Sequence, residues 1–317
     1  MRSRTFLLLL LITAFAAPSH SQQLRAGAKL QSPVPIVYAT TCLNGNQVVG
    51  IGKDGDVYTW SAPFGQPRHF HSADARVGTV SCSADGKWTA AGLRNGTVLV
   101  LNSESGIAQR LDVTQHDLQA IAFSADGTLL AVATNDSPTQ LWDVQKGQRL
   151  ATGTTILGAS TAVAFASGNN MYVSADEDTT LRAYDRSGKS LFKTEADNLE
   201  PFAVVFTPDG KQFAVAGAGG TITLFDAATG HKLKTSKTNG NPIFNLMMAP
   251  SGGQVAALEL DDYRLEPAAI TIWDIKSNEL RKLAVDVKTV VGAGTDRSNL
   301  ILIQSDGPNA LSLWTVQ

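Results

Sequence analysis

The chain has 317 residues, 43% apolar and 17% charged, enough to bury a substantial core. Lysine plus arginine number 26 against 28 acidic residues, with no run of either sign. A nucleic-acid surface, which draws on clustered basic charge, is therefore not expected, and two cysteines are too few for a fold that depends on a disulfide framework.

Arg2 and Arg4 precede an apolar run from Phe6 to Ala17, followed by Pro18-Ser19-His20-Ser21. These are the basic, apolar and polar parts of a secretory signal peptide. The leader is predicted over residues 1–21, with cleavage after Ala16 or Ser21. A run of about twelve apolar residues is too short for an anchored transmembrane helix, so no integral membrane segment is expected after cleavage. The predicted location is periplasmic or secreted.

Beyond the leader, short runs rich in Val, Thr, Leu and aromatics are punctuated by Asp-Gly, Asn-Gly and Gly-Gly, the pattern of strands joined by tight hairpins. Asp85-Gly86, Asp126-Gly127 and Asp209-Gly210 share one setting, as in Phe123-Ser124-Ala125-Asp126-Gly127 and Phe206-Thr207-Pro208-Asp209-Gly210. A second landmark is Leu141-Trp142-Asp143, Ala183-Tyr184-Asp185, Leu224-Phe225-Asp226 and Ile272-Trp273-Asp274, with weaker copies at Trp60, Leu101 and Trp314. Successive large apolar positions are separated by 41, 41, 42, 41, 48 and 41 residues. A repeat of about 40–45 residues with this closing dipeptide is the sequence pattern of a β-propeller.

On these residues the chain resembles the WD-repeat family from about residue 24 to its end. The resemblance implies a single all-β domain over residues 22–317: a seven-bladed β-propeller with four-stranded antiparallel blades. In one blade it places 161–165 innermost, then 170–175, 180–185 and 190–194 outermost. The sequence stops just after a third strand, and the extended segment 23–30 is expected to supply the last blade's missing strand, an N-terminal strand closure that covers an exposed edge. The family's buried His–Asp network is expected to be incomplete. Asp54, Asp136 and Asp178 match its Asp, but no histidine falls in frame and His116 sits two residues off. Packing must then rest on apolar positions such as Phe123, Phe165 and Phe206, with Cys82 at the same register. Cys42 aligns one step further along, so its side chain is expected on the opposite face, which favours free thiols over a bridge.

No nucleophile elbow, haem attachment or nucleotide-binding loop is present, and no catalytic residue, cofactor or metal site is predicted. His69 and His71 flank Phe70 on one side of a strand, but no third ligand has fitting local spacing, so both read as surface histidines. Asp176-Glu177-Asp178 lacks the spaced oxygen ligands of a calcium loop and reads as turn chemistry. The 48-residue interval marks an insertion at residues 259–267. There Asp261, Asp262, Tyr263 and Arg264 combine charge with an amphipathic aromatic and form the candidate partner-binding site. The expected function is an extracytoplasmic protein-binding scaffold or assembly subunit with one or more unidentified protein partners. The alternative is a propeller enzyme or small-molecule sensor that uses the central channel.

Overall fold

The computed structural model describes residues 24–42, 45–72, 75–103, 105–154, 159–168, 170–196, 200–261 and 267–316. The expected leader lies outside the described residues. After β1 (Leu24–Gln31), the strands follow in sets of four. The first set is β2 (Ile36–Cys42), β3 (Gln47–Gly52), β4 (Val57–Ser61) and β5 (Arg68–Phe70). The second is β6 (Val77–Cys82), β7 (Trp88–Leu93), β8 (Thr97–Asn102) and β9 (Gly106–Asp112). The third is β10 (Leu118–Phe123), β11 (Leu129–Thr134), β12 (Gln140–Asp143) and β13 (Gln148–Thr152). Next come β14 (Ser160–Phe165), β15 (Met171–Asp176), β16 (Thr180–Asp185) and β17 (Ser190–Glu195), the order expected for that blade. They are followed by β18 (Pro201–Phe206), β19 (Gln212–Gly217), β20 (Thr221–Asp226) and β21 (Lys232–Lys237). The sixth set is β22 (Ile243–Met248), β23 (Gln254–Leu260), β24 (Pro267–Asp274) and β25 (Leu280–Lys282). The chain ends with β26 (Val290–Thr295), β27 (Leu300–Ser305) and β28 (Ala310–Val316).

Five of these sets are separate four-stranded antiparallel sheets. The remaining strands form one sheet in the order β1-β28-β27-β26-β2-β3-β4-β5, joined at its middle by the parallel pair Ala39 and Gly292. Among the described residues there is no α-helix, and hence none long and apolar enough to cross a membrane. The chain is thus all-β and built from four-stranded antiparallel sheets, the arrangement expected of a β-propeller.

Burial explains the strand compositions. Second strands such as β11 (LLAVAT) are buried at every residue, because neighbouring sheets cover both faces. Fourth strands such as β17 (SLFKTE) are largely exposed and keep their polar residues. The cores lie between successive sheets: Met171, Val173 and Leu181 pack with Phe206, Phe213 and Phe225 of the next sheet. Of the repeated large apolar positions, Trp60, Leu101, Trp142, Tyr184, Phe225 and Trp273 are buried, and Trp314 is half-buried. Phe123 and Phe206 are buried as expected, whereas Phe165 is half-buried. The repeated Asp-Gly hairpins have one geometry. Ser83, Ser124 and Thr207 donate to Asp85, Asp126 and Asp209 at 2.6, 2.6 and 2.7 Å. Gly127 and Gly210 each take φ of 68°, a left-handed conformation that explains glycine there.

The expectation of free cysteines is overturned: Cys42 and Cys82 form a disulfide with Cα atoms 6.1 Å apart. Strand alternation places the two side chains on opposite faces of equivalent strands, and the pairing registers agree. Equivalent strands of adjacent stacked sheets, however, meet through opposite faces. Cys42 leaves the first sheet toward the second, and Cys82 leaves the second toward the first, both beside Val49, Val77 and Val80. Opposite faces are therefore what an inter-sheet bridge requires. The bridge spans 40 residues of sequence. Chain entropy alone gives a loop of that size about 4 kcal/mol of stabilisation. The Cys42→Ala/Cys82→Ala variant should unfold at a clearly lower Tm than the oxidised protein, and thiol titration of the unreduced native protein should find no free cysteine.

Candidate functional site

In each four-stranded set the chain runs up, down, up and down. The inner strands therefore begin on the same face that carries the second-to-third strand turns and the links to the next sheet. This face, here the mouth face, collects the candidate sites.

The first site is the rim formed where the inner strands begin. The ladder between each inner strand and its neighbour skips one residue at the same place. The skipped residues are Val37, Gly78, Gln119, Thr161, Phe202, Phe244 and Val291. Such irregularities free a residue from the ladder and re-aim its side chain. Five of the seven, from Gly78 to Phe244, border a cavity of about 320 Å³ between the inner strands. Phe202 and Phe244 stack with centroids 4.4 Å apart, and Phe244 and Val37 are 39% and 57% exposed, so apolar surface faces solvent at this rim. Deeper in, Tyr38 hydrogen-bonds with Asn245. Burial pushes its phenol above the usual value, against the effect of that hydrogen bond. The cavity lining contains no carboxylate, imidazole, ammonium or guanidinium group.

The second site is the segment singled out by its length. Glu259 and Leu260, expected in the inserted loop, instead continue β23, and Pro267 opens β24. Glu259 is fully buried, where it accepts hydrogen bonds from Thr271 Oγ1 and, at 3.4 Å, from Asn241 Nδ2. That satisfied carboxylate lets the strand run on. Asp261 follows it, half-buried, on the mouth face. Asp262, Tyr263 and Arg264 lie outside the described residues.

Two clusters join residues that are apart in sequence. Asp176 and Asp178 both face the Arg182 guanidinium. Arg182 Nη1 donates to Asp176, and Nη2 donates to Asp178 Oδ2 at 2.7 Å. Ser160 Oγ donates to the other Asp176 oxygen at 2.5 Å. The side chains of Arg182, Asp176 and Asp178 are only 5%, 1% and 9% exposed. The hydrogen bonds from Arg182 hold Asp178 down at about 2, against its burial. For Asp176, burial outweighs the same partners and pushes the carboxyl up. A buried guanidinium thus partners Asp178, the carboxylate that the sequence resemblance matches to a network Asp. His116, the near-frame histidine, makes only an exposed 3.7 Å approach to Asp136.

The other cluster is Asp56, His69 and His71. His69 Nε2 and His71 Nδ1 lie 2.8 and 2.7 Å from Asp56 Oδ2, and the Ser72 backbone N–H donates to Oδ1 at 2.9 Å. Burial raises the Asp56 carboxyl, but the hydrogen bonds from His71, Ser72 and His69 outweigh it and leave it below its ordinary value. The hydrogen bond to Asp56 holds His71 above its own. The sequence pattern paired the two histidines but missed Asp56, which the turn between β3 and β4 brings to them.

No family model matches the chain. It is 33% identical over 148 residues to an uncharacterized WD repeat-containing protein of Synechocystis sp., covering 45% of this chain and 42% of that one. It is 29% identical over 210 residues to a guanine nucleotide-binding protein subunit beta of Oryza sativa subsp. japonica, covering 60% and 54%. It is 28% identical over 189 residues to pre-mRNA-processing factor 19 homolog 2 of Arabidopsis thaliana, covering 54% and 34%. The matches thus span about half or less of these relatives' length.

Proposed function

The chain belongs to the WD-repeat family, and from that membership we propose that it is an exported protein-interaction scaffold, a closed seven-bladed propeller that receives a protein partner on its mouth face. The observation that carries the partner reading is the Phe202–Phe244 stack at the rim, with Phe244 39% exposed. Exposed aromatics in a rigid, partly enclosed setting are the usual anchors of binding energy. The candidate residues Asp261, Asp262, Tyr263 and Arg264 belong to the segment that links β23 to β24, and their composition would add charge to a partner contact.

The seven-blade reading is supported by the one parallel pair in the eight-stranded sheet, where a division gives two sets of four beside the five separate sheets. Closure is supported by the antiparallel pairing of β1 with β28, from Leu24 opposite Val316 to Gln31 opposite Ala310. Export is supported by the leader-like pattern of residues 1–21 and by the Cys42–Cys82 disulfide, since such bonds persist in oxidising compartments. The channel alternative has the cavity in its favour. The cavity lining is uncharged, with the Tyr38 phenol as its titratable group.

The test is cross-linking and capture of partners from the periplasmic or culture-supernatant fraction, with native protein and the Phe202→Ser/Phe244→Ser variant. Losing an anchor pair of about 2 kcal/mol or more should weaken capture at least tenfold while the circular dichroism spectrum stays native. Equal capture by a folded variant would remove the rim from the interface.

A further inference from the structure

We propose that Asp56, His69 and His71 form a binding site for one divalent transition-metal ion of the zinc class. Their donor atoms all lie within 4.8 Å of one another, and both imidazole nitrogens point at the same carboxylate oxygen. In an ordinary surface cluster each side chain wanders independently; here Asp56 and His69 are held from behind. Asp56 is only 5% exposed, and its second oxygen is occupied by the Ser72 N–H. His69 stacks on Tyr58 at 4.7 Å with the planes 5° apart, and the Tyr58 hydroxyl donates to Asp54 at 2.6 Å. His71 follows β5 directly, so the ladder that pairs Tyr58 with His69 and Val57 with Phe70 brings it opposite Asp56. Such outer supports orient ligands and raise affinity at known metal sites.

The donor set selects the ion. Two imidazoles and one carboxylate suit zinc or copper(II), whereas calcium and magnesium prefer all-oxygen cages. Zinc–ligand distances near 2.0–2.1 Å require the nitrogens to draw back from Asp56 by roughly half an ångström. The two histidine side chains, 47% and 70% exposed, have room to do so. The ion displaces the protons that the rings now share with Asp56. Its outer positions face solvent on the mouth face, open to water or to a donor from another molecule. A purely structural tie between β4 and β5 would need only the hydrogen bonds, and would take up no metal.

Calorimetric titration of the full chain, chelator-stripped and without a polyhistidine tag, tests the site with Zn²⁺ alone and with Ca²⁺ alone. One equivalent of Zn²⁺ and no saturable Ca²⁺ uptake are expected, together with a rise in Tm on adding Zn²⁺. The His69→Gln/His71→Gln variant should lose both effects. Loss of outer supports alone weakens metal sites about 10–100-fold, so Asp56→Asn should cost at least tenfold in affinity. Absence of saturable Zn²⁺ uptake by the native chain, or equal uptake by the double histidine variant, would overturn the proposal. Histidine-dependent uptake indifferent to Asp56→Asn would also overturn it, because the site would then be a simple histidine pair. Should Asp56→Asn fail to fold, Asp56→Ser carries the same comparison: a loss of about tenfold or more in Zn²⁺ affinity is expected, and unchanged affinity would overturn the proposal.

Discussion

Deleting residues 24–31 is expected to remove most of the folding stability, although these eight residues are only one strand at one end. Three losses coincide. Leu30, fully buried, leaves a core that includes Ile36, Trp60, Ile301 and Leu311, and truncation of one such side chain costs about 2–5 kcal/mol. The Trp60 indole loses the acceptor it finds 2.8 Å away at the Gln31 carbonyl. β28 loses its ladder partner along its length and becomes an open edge, a template for pairing with other chains. Against a total of about 5–15 kcal/mol for an ordinary domain, the sum is close to unfolding. The urea midpoint should collapse and size-exclusion chromatography should show self-association. Two point variants calibrate the result. Leu30→Ala should lose a few kcal/mol, whereas Lys29→Ala should lose about 1 kcal/mol or less, because its 2.7 Å contact with Asp306 is well exposed. A deletion variant with a near-native midpoint would mean that β1 is a surface strap and that the ring closes without it.

The frame of this fold was legible because its signals are local and repeated. Asp-Gly hairpins and the large apolar residue near the end of each third strand recur at a nearly constant spacing, and each copy corrects the others. What sequence did not disclose depends on contacts between repeats or across a turn. The disulfide was misjudged because alternation within a strand says which way Cys42 points, but not which neighbour covers that face. Asp56 was missed as a partner for His71 because the ladder of β4 and β5 must be known before residues 15 positions apart become neighbours. That register was available in principle: pairing Tyr58 with His69 puts Asp56 opposite His71 one step beyond the strand. The rim was invisible for a different reason. Val37, Gly78, Gln119, Thr161, Phe202, Phe244 and Val291 share a structural position but no residue type, so no repeat alignment marks them as a set. Arg182 had no signal either, since an arginine on an alternating strand reads as solvent-facing until the carboxylates of Asp176 and Asp178 are seen to meet it.

Arg182→Met is the second large effect expected, about 3–5 kcal/mol of destabilisation at neutral pH. Burying three charged groups is not itself a strong source of stability, because desolvation opposes the attraction. Removing the one cation is another matter: it leaves Asp176 and Asp178 facing each other in a nearly dry site, with Ser160 as the remaining donor to Asp176. The pH dependence gives the mechanism a sign. Asp178 is held at about 2, below an unfolded carboxyl near 3.9, so its pairing stabilises the native state fully above that unfolded value. This contribution is lost as pH falls toward 2. Asp176 is pushed the other way by burial, so acid relieves its charge earlier and with the opposite sign. In the variant neither carboxylate has the guanidinium, and protonation relieves their repulsion. The gap in denaturation midpoint between native protein and Arg182→Met should therefore be widest near pH 7 and narrow steadily from pH 5 downward. A gap that is small at pH 7, or constant across that range, would show that methylene packing by Arg182, and not its charge, holds this turn together.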